Sequence, residues 1–91
     1  MDIEYDDGNR AQTLANRGLD FHDPPRLFSG TSVTLRDDRR DYGEPRWLAY
    51  GWIAGRAVAM VWTQRGEKRR IISMRHMHDE EVRDVGLARP G

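Results

Sequence analysis

Cysteine is absent from the 91 residues, which excludes disulfides, thiol nucleophiles and cysteine-ligated zinc. The three histidines, His22, His76 and His78, show no zinc-site spacing. His76-Met77-His78 alternates as two ligands on one strand face would, yet two ligands are too few for a closed site and a solvated strand end explains the pattern. A run of about 18 apolar residues and a basic-then-apolar N-terminus are also missing, so neither a membrane span nor a secretory signal is expected. The expected location is the cytoplasm. Net charge is missing as well, because 15 Lys and Arg balance 15 Asp and Glu. A general electrostatic field that would draw the whole protein to nucleic acid or to a lipid surface is thereby excluded.

Charge is present locally. Residues 1–24 hold six acids against Arg10 and Arg17, whereas residues 65–75 hold Arg65, Lys68, Arg69, Arg70 and Arg75 against Glu67. A basic patch on a neutral chain implies an anionic partner met at one place. The same region carries the apolar signal. All three Trp and three of the four Met fall between Arg46 and Met77. Apolar runs at 47–53, 57–64 and 69–77, rich in Val, Ile, Trp and Tyr and free of Pro, predict a three-stranded antiparallel meander with breaks at Ala54-Gly55-Arg56 and Arg65-Gly66-Glu67-Lys68. Alternation puts Val58, Met60 and Trp62 on one face and Ala57, Ala59, Val61, Thr63 and Arg65 on the other. Matching bulky faces across the second hairpin sets Trp62 opposite Ile72 and Met60 opposite Met74, which needs a three-residue loop, Gly66-Glu67-Lys68. Thr63, Arg65, Arg69, Ser73 and Arg75 then share a surface, and Arg70 reaches it only from the strand edge or across a bulge.

Before the meander, Met1–Tyr5 alternates weakly as an edge strand. Asp6 or Asp7 caps a helix running to about Ala15, with Ala11, Leu14 and Ala15 as its apolar stripe and Gly18 as its stop. Asp20 caps a second helix over Phe21–Phe28, Pro24-Pro25 lying in its first turn. Ser29-Gly30 breaks the chain, 31–36 reads as a strand, and the charged segment 37–45 reads as a solvated connection. Asp79-Glu80-Glu81 opens a C-terminal helix favoured by the helix dipole. Gly86 stops it, and a flexible tail follows from about residue 86. The expected architecture is one α+β domain over residues 1–91, order βααββββα, a compact antiparallel sheet with helices packed on one face.

Guanidinium groups bind phosphate oxygens bidentately and stabilise charge building on phosphorus. Because RNA brings its own 2′-hydroxyl nucleophile, a ribonuclease needs only groups that hold the scissile phosphate and move protons, and no metal or cofactor. Glu81, His76 and His78 are the candidate proton carriers. Taken alone, the Arg cluster reads first as a solvated sheet face with charge pairs, and Trp47, Trp52 and Trp62 read as core packing ahead of base stacking.

The order Tyr5-Asp6, Asn16-Arg17-Gly18-Leu19-Asp20-Phe21, Leu27-Phe28, Asp41-Tyr42-Gly43-Glu44 followed by Arg46, Thr63 with Arg65-Gly66, and Arg70-Ile71-Ile72-Ser73-Met74-Arg75 resembles the BrnT family of bacterial toxins, from Glu4 to about Val85. The resemblance implies a RelE-like fold and an endoribonuclease toxin of a type II toxin–antitoxin pair that inhibits translation. It implies a BrnA-type antitoxin as partner, RNA as substrate, operator DNA met only through the antitoxin, and no membrane partner. By matching position it implies Thr63, Arg65, Arg70, Ser73, Arg75 and Glu81 as catalytic, with Arg17, Lys68 and Arg69 as RNA-binding. Three positions depart from the family pattern. Asn16-Arg17-Gly18 stands where Lys-His-Gly is usual, Val85 where a Tyr is common, and Gly8-Asn9-Arg10 where a Lys or Arg precedes the first-helix Asn. These departures motivate an alternative, a catalytically weakened homologue that binds its antitoxin and tunes operon repression.

Overall fold

The computed structural model describes residues 2–28, 30–39 and 41–89. Met1 of the expected first strand, Ser29 of the chain break, Arg40 of the charged loop and Pro90-Gly91 of the tail lie outside them. In chain order the elements are β1 (Ile3–Glu4), α1 (Asp7–Arg17), α2 (Pro24–Phe28), β2 (Ser32–Arg36), β3 (Trp47–Ile53), β4 (Arg56–Arg65), β5 (Lys68–His76) and α3 (Asp79–Asp84). The sheet order is β1-β5-β4-β3-β2. All pairings are antiparallel except that of β1, which lies parallel to β5. The α+β class and the order βααββββα are those expected from the sequence.

Side-chain alternation divides the sheet into a packed and an open face. On the packed face Ala49, Ile53, Val58, Met60, Trp62, Ile71 and Met74 meet Leu19, Phe21 and Leu27 in one buried cluster. Each Val, Leu, Ile, Met or Phe among them contributes about 1.5–3 kcal/mol by leaving water. α2 reaches the sheet because β3 has no side chain at Gly51, where an added Cβ would stand 2.7 Å from Leu27 Cγ. This helix is shorter than expected. It begins at Pro24, and residues 21 and 22 form a turn in which the Asp20 carboxylate accepts from the His22 backbone N–H.

α1 runs as expected from its Asp6 cap to the left-handed Gly18, but its orientation is the reverse of the expected one. Ala11, Leu14 and Ala15 face solvent, and the helix buries none of its residues. Its end is tied to the edge of β5 instead: Arg17 Nη1 donates to the Met74 carbonyl at 2.6 Å, and His76 Nε2 lies 2.8 Å from the Arg17 carbonyl. Residues 86–88, expected in a flexible tail, are docked. Leu87 is buried against Tyr50 and Ala59, and the Trp52 indole donates to the Ala88 carbonyl.

The second hairpin departs from the expected register. Arg65 pairs with Lys68, so the loop is the two residues Gly66-Glu67. Of these only Gly66 has positive φ, at 59°, the arrangement of a II′ turn. A bulge between Val61 and Trp62 then absorbs Ile72, so that Trp62 pairs with Ile71 while Met60 still pairs with Met74. The bulky faces do match; the extra residue lies in the strand rather than in the turn.

Candidate functional site

The bulge decides what the open face carries. Residues opposite one another in neighbouring strands share a face. Thr63 pairs with Arg70, Arg65 with Lys68, Val61 with Ser73, and Ala59 with Arg75. Arg65, Lys68, Arg70, Ser73 and Arg75 therefore stand on one surface. Arg69, expected there, is on the packed side, its guanidinium 4.7 Å from the Phe28 ring centre and 4.6 Å from that of Trp62. Arg70, which the expected register could not place, takes the position instead.

Three rows cross this face. Glu4, Arg70 and Thr63 form one, Ser73, Val61, Leu48 and Leu35 the next, and Arg75, Ala59, Tyr50 and Val33 the third. The middle row offers a shallow apolar strip, with Leu35 48% exposed, between two rows that carry guanidinium groups. α3 and Leu87 cover the middle of the third row, where Val82 and Val85 pack against Tyr50, Ala59 and Leu87.

Each guanidinium is faced by a carboxylate. Arg75 and Glu81 form a bidentate pair with contacts of 2.7 and 2.6 Å. That hydrogen bond holds the Glu81 carboxyl below the usual carboxylate range and raises Arg75. Arg70 Nη1 lies 3.8 Å from Glu4, and Arg65 and Arg46 each approach Glu44 at 3.6 Å. A shallow cavity of about 440 Å³ brings Arg75 and Glu81 together with His78. His76 does not join them. It lies opposite Val58, on the packed side, and contacts the Arg17 carbonyl.

Thr63 is 1% exposed, and its hydroxyl donates to the Pro45 carbonyl at 2.6 Å. It thus anchors the charged loop rather than facing solvent. Arg17 stands apart from the open face, at the end of α1. The loop is largely exposed, as its composition suggests, but it is anchored at one end. The Asp37 side chain is fully buried; it accepts from Arg39 Nε and Nη2 at 2.8 Å and from the Tyr42 hydroxyl at 3.2 Å. The Arg39 hydrogen bond lowers the Asp37 pKa from its ordinary 3.8 to about 2. Arg46 lies over the Tyr42 ring at 4.1 Å. Glu44, which this loop sets between Arg46 and Arg65, was not legible as a site residue. The signal for it was its place in the family-like run Asp41-Tyr42-Gly43-Glu44 before Arg46, which assigned it no role.

No helix among the described residues is long and apolar enough to cross a membrane. A family model for the ribonuclease toxin BrnT of type II toxin–antitoxin systems matches residues 5–81. A search of curated proteins gives no match.

Proposed function

Because the chain belongs to the BrnT family of ribonuclease toxins of type II toxin–antitoxin systems, we propose that it cleaves RNA on the open face without a metal, inhibits translation by doing so, and is neutralised by a BrnA-type antitoxin. The observation that carries this reading is the bulge that gathers Arg70, Ser73 and Arg75 on one face beside Glu81 and His78. Arg70 and Arg75 hold the scissile phosphate, Ser73 positions it and Arg65 contacts the neighbouring backbone. Thr63 acts indirectly, fixing the loop that presents Glu44.

Chemically, the RNA 2′-oxygen attacks phosphorus while its proton passes to Glu81, whose proton affinity the Arg75 fork lowers in the free protein and restores when it moves to the phosphate. The bond from phosphorus to the 5′-oxygen breaks, and that oxygen takes a proton from His78. The products are a 2′,3′-cyclic phosphate and a 5′-hydroxyl. The two guanidinium groups stabilise the charge on the equatorial oxygens, which requires the Arg75 fork to pass from Glu81 to the phosphate.

One observation favours a second reading. Arg65, Arg70 and Arg75 are all faced by carboxylates of the same chain, the Arg75 fork completely so. A homologue that uses this face only to bind an antitoxin and tune repression could keep such pairs closed. Antitoxin-free protein incubated with RNA in EDTA separates the two. The ribonuclease reading expects cleavage, lost in an Arg70→Ala/Arg75→Ala protein. Arg75→Ala alone should cost about 2–4 kcal/mol of transition-state stabilisation, roughly 30- to 1,000-fold in rate. RNA left intact by the wild type, free or on ribosomes, would overturn it in favour of the binding module.

A further inference from the structure

We propose that the cleft between α1 and the edge of β5 receives a nucleobase of the RNA beside the cleaved bond, read by the side-chain amides of Asn9, Gln12 and Asn16. The inference rests on the ribonuclease reading and adds a specificity site to it. β1 pairs with β5 only at Arg69 and Arg70, so from Ile72 onward the edge of β5 is flanked by α1. An open cleft of about 270 Å³ lies between them, with room for a single planar base and smaller than the pockets of drug-sized ligands.

The polarity of its wall is the reason to assign it. A helix lying on a sheet ordinarily turns its apolar stripe inward. Here Leu14 is 46% exposed, and Asn9, Gln12, Thr13 and Asn16 line the cleft. Their spacing of three, four and seven residues makes one continuous stripe. The three amide residues are exposed at the rim of the cleft, and their side chains make no hydrogen bond among the described residues, so they are open to a ligand. A carboxamide offers a donor and an acceptor side by side, as a base edge does, and single-stranded RNA presents such edges unpaired. Ile72, half-buried at the edge of β5, supplies apolar surface for the ring, with the buried Phe21 beneath the cleft floor. Ser73 also lines this cleft, and the register places it in the row between Arg70 and Arg75, so a base seated there is attached to RNA crossing the open face. No carboxylate lines the cleft to repel it. The walls are held in place by the Arg17 to Met74 hydrogen bond.

Two measurements test this. In the first, antitoxin-free protein is given four RNA oligonucleotides that differ only in the base flanking the cleaved bond. The wild type should prefer one base, and the ratio of best to worst rates should fall about tenfold in Asn9→Ala/Gln12→Ala/Asn16→Ala. An unchanged ratio in a variant with wild-type thermal stability overturns the proposal. In the second, the side-chain amide resonances of the three residues are followed while an RNA carrying a 2′-deoxy group at the scissile position is added. Their movement supports the cleft even if no RNA is ever cleaved, which separates it from the fate of the catalytic reading. Shifts confined to the surroundings of Arg70 and Arg75 overturn the cleft and leave the ribonuclease standing. Amides that move only when antitoxin is added make the cleft a protein-docking groove, which also overturns it.

Discussion

Asp37 shows how one side chain settles the form of a loop. Its carboxylate is inaccessible to water yet accepts hydrogen bonds on both oxygens, from Arg39 and Tyr42. Desolvation alone would raise its pKa; the Arg39 contact outweighs that and lowers it to about 2. A depressed folded-state pKa contributes stability that is present above the unfolded value and lost on acidification. Wild type should therefore lose stability as the pH falls from about 4 toward about 2. Asp37→Asn should be less stable by about 1–3 kcal/mol near neutrality and should lack that part of the acid dependence. Urea midpoints for both proteins at about pH 6 and about pH 2.5 measure it, and parallel losses on acidification would rule out Asp37 as the source. None of this was legible beforehand, since an acid in a run of Asp, Arg and Glu carries no mark of burial.

At the scale of the element, the β5 bulge and the two hairpin turns set which side chains reach the open face. The spacing of apolar residues fixes the pairing of Met60 with Met74, and that pairing was readable from the chain. Whether the extra residue sits in the turn or in the strand was not, because both choices bury Met60, Trp62 and Met74. The II′ turn at Gly66-Glu67 and the burial of Ile71 select the bulge, and Arg70 rather than Arg69 faces outward as a result. The first hairpin, Ala54-Gly55, is more strained. Both residues have positive φ, 51° and 77°, as a I′ turn requires, and Ala54 has the β-carbon that disfavours this region. Ala54→Gly should stabilise the protein by about 1 kcal/mol. A thermal midpoint that stays the same or falls would mean the turn is not strained in solution.

For the molecule as a whole, zero net charge and a basic face make binding depend on a few contacts rather than on a long-range field. Three to four phosphate contacts, from Arg65, Arg70, Arg75 and Lys68, predict a slope of roughly −2 to −3 for the logarithm of RNA affinity against the logarithm of salt. Arg70→Ala/Arg75→Ala should make that slope shallower by about 1.4. Fluorescence anisotropy with an RNA blocked at its 2′-hydroxyl measures both, and a slope unaltered in the double variant would place the phosphates elsewhere. The same face carries an apolar strip with Leu35 exposed, so a protein partner covering it would bury apolar surface as well as charge.

What the sequence determined by itself is what depends on local pattern: the meander, the capped first helix, the element order and the concentration of Arg and Trp in one stretch. These follow from side-chain period and backbone propensity, which act over a few residues. The tertiary structure alone decided the parallel pairing of β1, the outward turn of Ala11, Leu14 and Ala15, the burial of Asp37 and Thr63, and the exchange of Arg69 for Arg70 on the open face. Each depends on which distant segment supplies a hydrogen bond or fills a volume, and nothing in the neighbouring residues encodes that choice.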